Sequence, residues 1–255
     1  MRFVLIAAIA ASFLSQSAGA RLAGNDAFTF RYEAFFSGFR IAEATTTLEW
    51  KDDRYAMQLH ALSAGVLEWF ITFDQLASSG GRLDHEVKAE RHRNHNRSRD
   101  NWIDLRFREN TVEIVDANPD PASEEGRPAV PPELLIGALD PLSAALALGM
   151  STRAADSCDS EVPVYDGRRR YDTILEHQRR ETYRGPAGPA ETLVCRFRFE
   201  RRAGYTEEAK QWPGLTGSVW LQQVEEGLPM LPVRLEVETK YGTGYIHMVS
   251  AEELR

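Results

Sequence analysis

Residues 42–61 read Ala-Glu-Ala-Thr-Thr-Thr-Leu-Glu-Trp-Lys-Asp-Asp-Arg-Tyr-Ala-Met-Gln-Leu-His-Ala. Ala42, Ala44, Thr46, Leu48 and Trp50 share one parity, and Tyr55, Met57, Leu59 and Ala61 repeat it after the turn-like Asp52-Asp53. A strand presents alternate residues to opposite faces, so a period of two with one apolar parity marks a half-buried strand. Two such runs around a short polar break predict an antiparallel pair, because parallel strands buried on both faces would be apolar throughout.

The same period extends in both directions. Upstream it runs through Phe28, Phe30, Tyr32 and Phe36. Downstream it runs through Leu67, Trp69, Ile71 and Phe73, through Ile103, Leu105 and Phe107, and through Val112 and Ile114. It resumes at Leu193, Cys195, Phe197 and Phe199, then Val219 and Leu221, then Leu231, Val233, Leu235 and Val237, then Tyr241, Tyr245 and Val249. Val162 to Tyr165 and Arg170 to Asp172 flank Asp166-Gly167, a hairpin signature. On this parity Phe30, Tyr32, Trp50, Leu59, Trp69, Phe197, Leu235 and Tyr245 are expected to face one concave interior.

Three segments interrupt the pattern. Residues 118–132 carry Pro119, Pro121, Pro128, Pro131 and Pro132 and read as a surface linker with neither strand nor helix. Residues 134–150 read as a helix. Asp140-Pro141 supplies an N-cap and a first-turn proline, apolar residues lie almost all round, and Gly149 is placed to end it. Tyr183 to Ala190 reads as a loop. So many apolar strand faces with one covering helix predict an all-β fold: a long curled antiparallel sheet, a half-barrel or β-clam, with one central, largely apolar helix. Its interior is either packed solid or left as a cavity. If it is a cavity, the candidate lining residues are Trp50, Trp69, Leu142, Leu146, Leu148 and Tyr245.

Met1-Arg2, the apolar run Phe3 to Leu14 and the small residues Ser17 to Ala20 match a secretory signal cleaved after Ala20. Residues 21–255 then form a single exported β domain, and the periplasm is the expected compartment. No cysteine follows the cut to carry a lipid anchor, and no transmembrane segment is expected in the mature chain. The 30 Lys and Arg against 38 Asp and Glu give a net charge of −8, and loss of Arg2 makes the mature chain one unit more acidic. Nucleic acid is therefore not an expected partner. Cys158 and Cys195, an even pair in an oxidising compartment, are expected to form a disulfide.

Candidate chemistry is sparse. Arg91, Arg93, Arg97 and Arg99 share a parity with His95 and would line one face of a single strand as anion contacts. A turn at Asn94-His95-Asn96 would instead split them between two hairpin arms. His85, His92 and His95, with Glu86 and Glu90, invite a metal reading, but His92 and His95 have opposite parity and no ligand spacing is present, so no metal or cofactor is expected. His247 shares the parity of Tyr245 and reads as a core histidine among aromatic rings. None of the short motifs of hydrolases, nucleotide binders, zinc proteases or dithiol oxidoreductases occurs, so no catalytic residue is assigned and a non-enzyme is expected.

The segment Cys158 to Asp172, Cys-Asp-Ser-Glu-Val-Pro-Val-Tyr-Asp-Gly-Arg-Arg-Arg-Tyr-Asp, resembles a family of bacterial envelope proteins, the domain of unknown function numbered 3108. Tyr32 to Gly38, Leu139 to Ser143, Val194-Cys195, Ala203 to Tyr205, Leu231 to Arg234 and Gly242 to Gly244 agree with it. The resemblance implies a curled sheet similar to the β-clam of the LolA and LolB lipoprotein carriers and to an envelope-integrity family with a comparable disulfide. It carries no catalytic residues. The function expected from these readings is a non-enzymatic periplasmic binding or carrier protein for a lipid or lipoprotein acyl chain. The rival is a structural protein that supports the envelope through surface contacts with an envelope component.

Overall fold

At Ser37-Gly38 both residues have positive φ (48° and 87°), and the chain reverses within two residues to pair Phe36 with Phe39. Hairpins of this kind build most of the molecule. In the computed structural model, which describes residues 25–65, 72–211, 214–239 and 241–254, the strands are β1 (Asn25–Phe36), β2 (Phe39–Lys51), β3 (Arg54–Ser63), β4 (Asp74–Leu83), β5 (Val87–Asn96), β6 (Asn101–Arg108), β7 (Thr111–Asn118), β8 (Ser160–Tyr165), β9 (Arg170–Gly185), β10 (Gly188–Ala203), β11 (Thr216–Gln222), β12 (Leu231–Thr239) and β13 (Gly242–Leu254). One long helix, α1 (Pro141–Ala155), separates β7 from β8, and a short helix, α2 (Glu207–Gln211), follows β10. Residues 1–20, read from the sequence as a signal, and the run Leu67 to Ile71, with Trp69, lie outside the described residues.

All thirteen strands form one antiparallel sheet in the order β7-β6-β5-β4-β3-β2-β1-β13-β12-β11-β10-β9-β8. Its two edges, β7 and β8, do not pair. Instead the segment between them fills the seam: Leu139 bridges Val164 in parallel, and Ala138 and Tyr165 pack with Ile103, Leu105 and Phe107 of β6. The β8–β9 turn sits against β6 so closely that a Cβ on Gly167 would lie 2.2 Å from Ile103 Cδ1. Asp166 Oδ1 holds that turn by accepting from Arg168 N and Arg169 N at 2.9 and 2.6 Å. Arg170 ties it to the linker, donating through Nε to Leu134 O at 2.8 Å, and pairs with the buried Asp172. The conspicuous Asp-Gly-Arg-Arg-Arg-Tyr-Asp run is therefore seam chemistry.

Several sequence expectations are corrected. The helix begins at Pro141, because Pro132–Leu135 forms a single 3-10 turn and Leu139 is engaged by β8. It also runs past Gly149 to Asp156, whose φ of 51° ends it. Gly149 is needed for contact, since Met230 N donates to its carbonyl at 3.0 Å and a Cβ there would meet Met230 O at 2.4 Å. The linker 118–132 contains the end of β7 and a 3-10 turn, Pro121–Ser123, capped by Asp120. Tyr183 to Ala190 is a strand hairpin, with Tyr183 opposite Ala190 and Gly185 opposite Gly188. Asn94, His95 and Asn96 belong to β5, and the turn falls at Arg97 to Asp100. The polar, glycine-containing β4 has too weak an alternation to be read as a strand. Its Gly81 is required because the register shift beside it would put a Cβ 2.0 Å from Lys88 O.

Candidate functional site

Directly opposed residues of an antiparallel pair point to the same face, so the registers define rows across the interior. One row runs Phe28, Leu48, Met57, Ser79, His92 and Leu105. None of these is more than 8% exposed. This is the level at which α1 crosses the interior, with Leu146 packed into the cluster that holds Phe28, Leu48, Trp50 and Met57. Leu148 packs against Leu193, Cys195, Phe197, Val219 and Leu221 on the facing half, where Cys158 and Cys195 are joined with sulfurs 2.01 Å apart.

The rows nearer the β1–β2 turn differ. Between Phe30 and Ile103 lie Thr46, Leu59, Ala77 and Asn94, all half-buried. In the next row Tyr32, Ala44, Ala61, Gln75 and Asn96 are half-buried. In the one after, Leu235 and Ala34 are half-buried and Ile246 is 38% exposed. These side chains hold the inward parity but have no helix over them. From Phe28 to Ala34 the strand climbs about 20 Å at ~3.3 Å per residue. At the top of this trough two adjacent turns expose Phe39 (60%) and Tyr241 (73%). Within these rows Phe30, Ile103 and Met248 are buried at 1%, 5% and 1%, while the side chains between and above them are half-buried or exposed.

The plug is fixed by a buried polar network. Asp140 caps α1, with Oδ1 accepting from Leu142 N and Ser143 N at 3.0 Å each. The same oxygen accepts from Ser79 Oγ of β4 at 2.5 Å and lies 3.2 Å from His92 Nδ1 of β5. Ser143 Oγ donates to the other carboxylate oxygen and lies 2.6 Å from Tyr55 OH of β3. Burial would raise the Asp140 carboxyl, but the bonds from His92, Ser143 and Ser79 together hold it below the usual carboxylate range. Serine, histidine and aspartate here do not make a nucleophile. Ser79 and Asp140 both engage Nδ1, Nε2 has no partner, and all three residues are buried. A serine triad needs the hydroxyl on the opposite imidazole nitrogen and open to substrate.

Of the residues expected to line a cavity, Trp50, Leu146 and Leu148 are packed in the core and Leu142 is half-buried beside them. Trp50 also borders a pocket of about 370 Å³ at the helix-level end, with Tyr55, Lys51 and Arg54. Tyr245 is corrected to the opposite face. A register shift where Arg31 pairs with Ser250 and Tyr32 with Met248 inserts Val249, which reverses the parity of β13. Tyr245 therefore stacks on His247 with centroids 6.2 Å apart, on the face away from Ile246 and Met248.

On that face a compact aromatic cluster surrounds a cation, and its Trp220 is buried. Arg234 Cζ lies 4.7 Å from the Trp220 ring, 5.1 Å from Tyr245 and 5.8 Å from Tyr183. Tyr183, near the tip of the β9–β10 hairpin, is 2.6 Å from His247 Nδ1, although three strands separate β9 from β13. Burial, then the Arg234 charge, lowers the His247 imidazole below its ordinary value. The sequence signal for the cluster was present in Tyr245 and His247, but its other members come from distant strands. The arginine stripe is broken: Arg91 and Arg93 are exposed on β5, while Arg97 and Arg99 fall in the following turn. Arg91 is held bidentately by Asp104 at 2.7 and 3.2 Å, and Arg97 pairs with Asp74 at 3.3 Å.

Among the described residues, an unclosed antiparallel sheet of thirteen strands curled around the helix α1 defines the class: an all-β, barrel-like protein. The family model described as protein of unknown function (DUF3108) matches residues 31–249, and the chain belongs to that family. No curated protein matches it. The chain is similar to the beta-barrel-like protein of domain of unknown function DUF1849 from Brucella abortus, at 9% identity and TM-score 0.54 over 92% of this chain and 99% of that one. Weaker likenesses are to a lipoprotein candidate from Parabacteroides distasonis (10% identity, TM-score 0.38, 91% and 97% covered) and an exported-protein candidate with a YmcC-like fold from Bacteroides fragilis (11%, 0.37, 88% and 95%). The first likeness bears on the fold alone. Among the described residues no helix is long and apolar enough to cross a membrane.

Proposed function

We propose that the protein is an exported, periplasmic, non-enzymatic binding or carrier protein that shelters an acyl chain in the open part of its interior. The observation that carries this reading is the step in burial between rows. Inward-facing side chains from Phe28 to Leu105 are sealed; above them Phe30, Ile103 and Met248 are buried too, but Leu59, Ala61 and Leu235 are half-buried and Ile246 is exposed. Inward apolar surface left uncovered in a folded interior is surface that a ligand can cover. A trough about 13 Å deep from the Phe30 row to Ala34 takes the greater part of an acyl chain of ordinary length, and the exposed Phe39 and Tyr241 at its mouth give an apolar entrance.

Displacement of a fluorescent acyl probe tests this. The probe should bind the intact protein, and Ala44→Trp or Ala61→Trp, which fill the trough, should weaken it at least tenfold while the thermal midpoint moves little. A probe that fails to bind, or binds equally to both filled variants, would overturn the reading.

A further inference from the structure

The trough has two unlike walls, and neither carries a charge in the rows described above. Leu235, Ile246 and Ala34 form an apolar wall along β12, β13 and β1. Across from it β4 and β5 present Gln75 and Asn94, whose amides bond to each other. That bond uses Gln75 Nε2 and Asn94 Oδ1 and leaves the Gln75 carbonyl and the Asn94 amide hydrogens with no described partner. An amide carbonyl can accept and an amide N–H can donate, so this wall can bond uncharged polar groups of either kind. The Tyr32 phenol stands between the walls. It is half-buried, and a phenol is a neutral hydroxyl at physiological pH, able to donate a hydrogen bond. The buried Asp140 and His92 side chains lie 3.2 Å apart in the network that holds the plug and face their own partners.

A carboxylate or phosphate moved into such surroundings loses its hydration and gains no cation, whereas an ester, amide or hydroxyl exchanges water for these side chains at little loss. Building on the proposed acyl-chain binding, we propose that the trough selects uncharged amphipaths, an acyl chain held as an ester or amide such as a monoacylglycerol, over free fatty-acid anions. The chain lies on the β12–β13–β1 wall, and the ester or hydroxyl group meets Gln75 and Asn94.

Competition for the fluorescent acyl probe at pH 8 between a monoacylglycerol and the fatty acid of the same chain length, both below micelle formation, tests the selection. The monoacylglycerol should displace the probe at least tenfold more effectively, and Asn94→Lys, which adds a cation to the polar wall, should narrow that ratio by improving the fatty acid. Equal displacement by both ligands in the native protein would overturn the selectivity and leave acyl binding standing. Failure of either ligand to displace the probe would overturn both. If Asn94→Lys does not fold, the native comparison decides alone.

Discussion

The interior behaves as two regions built from the same strands. At the level of α1, β1 to β6 contribute Phe28, Leu48, Met57, Ser79, His92 and Leu105, all sealed. One and two rows above, β2, β3 and β4 contribute Thr46, Leu59, Ala61, Ala77 and Gln75, all half-buried, while Phe30 of β1 and Ile103 of β6 stay buried. Strand chemistry does not make the difference, since both levels alternate alike. The helix does, and Asp140 holds the helix. Curling the sheet creates the volume, and one capped helix fills only part of it.

If that is so, substitutions at the two levels should diverge sharply. The largest loss should follow opening of the Cys158–Cys195 bond, which closes a loop of sequence separation 37 beside the plug. The double change Cys158→Ser with Cys195→Ser should reduce unfolding free energy by about 4 kcal/mol in the loop-entropy model, read by urea titration. Asp140→Ala should cost about 3 kcal/mol, because it removes the cap and leaves His92 and Ser79 buried without their acceptor. Gly149→Ala should destabilise by about 2 kcal/mol despite the better helix propensity of alanine, since the new methyl would meet Met230 O. Leu59→Ala, in the open level, should cost less than about 1.5 kcal/mol, because a half-buried side chain leaves no sealed cavity. A larger loss at Leu59 than at Asp140 would break the contrast.

Acid should act on Asp140 at the plug and on His247 in the Arg234 cluster in the same direction. The Asp140 carboxyl is lowered by its partners, so its stabilisation is present above about pH 4 and is lost as the pH falls further. The His247 imidazole is lowered by burial and by Arg234, so its neutral form favours the folded state, and that contribution declines as the pH falls below 6.5. The thermal midpoint should therefore drop first modestly below pH 6.5 and then steeply below about pH 4. Asp140→Asn should shrink the second drop, to which Asp172 and Glu124 also contribute, and His247→Gln should shrink the first.

Much of this architecture is legible in the chain. Alternation at 42–61 and at 231–237 identifies antiparallel strands, Asp140-Pro141 marks the start of the helix, and the two cysteines pair. What escaped reading has local causes. β4 is built from serines and glycines whose role is close backbone approach to β5, which leaves little apolar period to detect. Gly149 reads as a terminator because a sequence does not show that Met230 will lie against it. Tyr245 lands on the outer face because a one-residue insertion at Val249 reverses every side chain beyond it. Parity shows that Tyr32, Leu59 and Leu235 point inward, but not how far the helix reaches. The open trough therefore became visible only when rows across many strands were compared.

The central claim is that the interior is sealed at the helix and ligand-accessible above it. Photolabelling with a monoacylglycerol carrying a diazirine along its chain, followed by peptide mass spectrometry, tests it most directly. The account predicts label on residues 30–34, 42–46, 59–61 and 244–248, competed away by unlabelled monoacylglycerol, with the α1 segment 144–149 and the Leu48 to Trp50 segment unlabelled. Competed label concentrated on α1 and Leu48 to Trp50, or label that unlabelled ligand cannot displace, would contradict it.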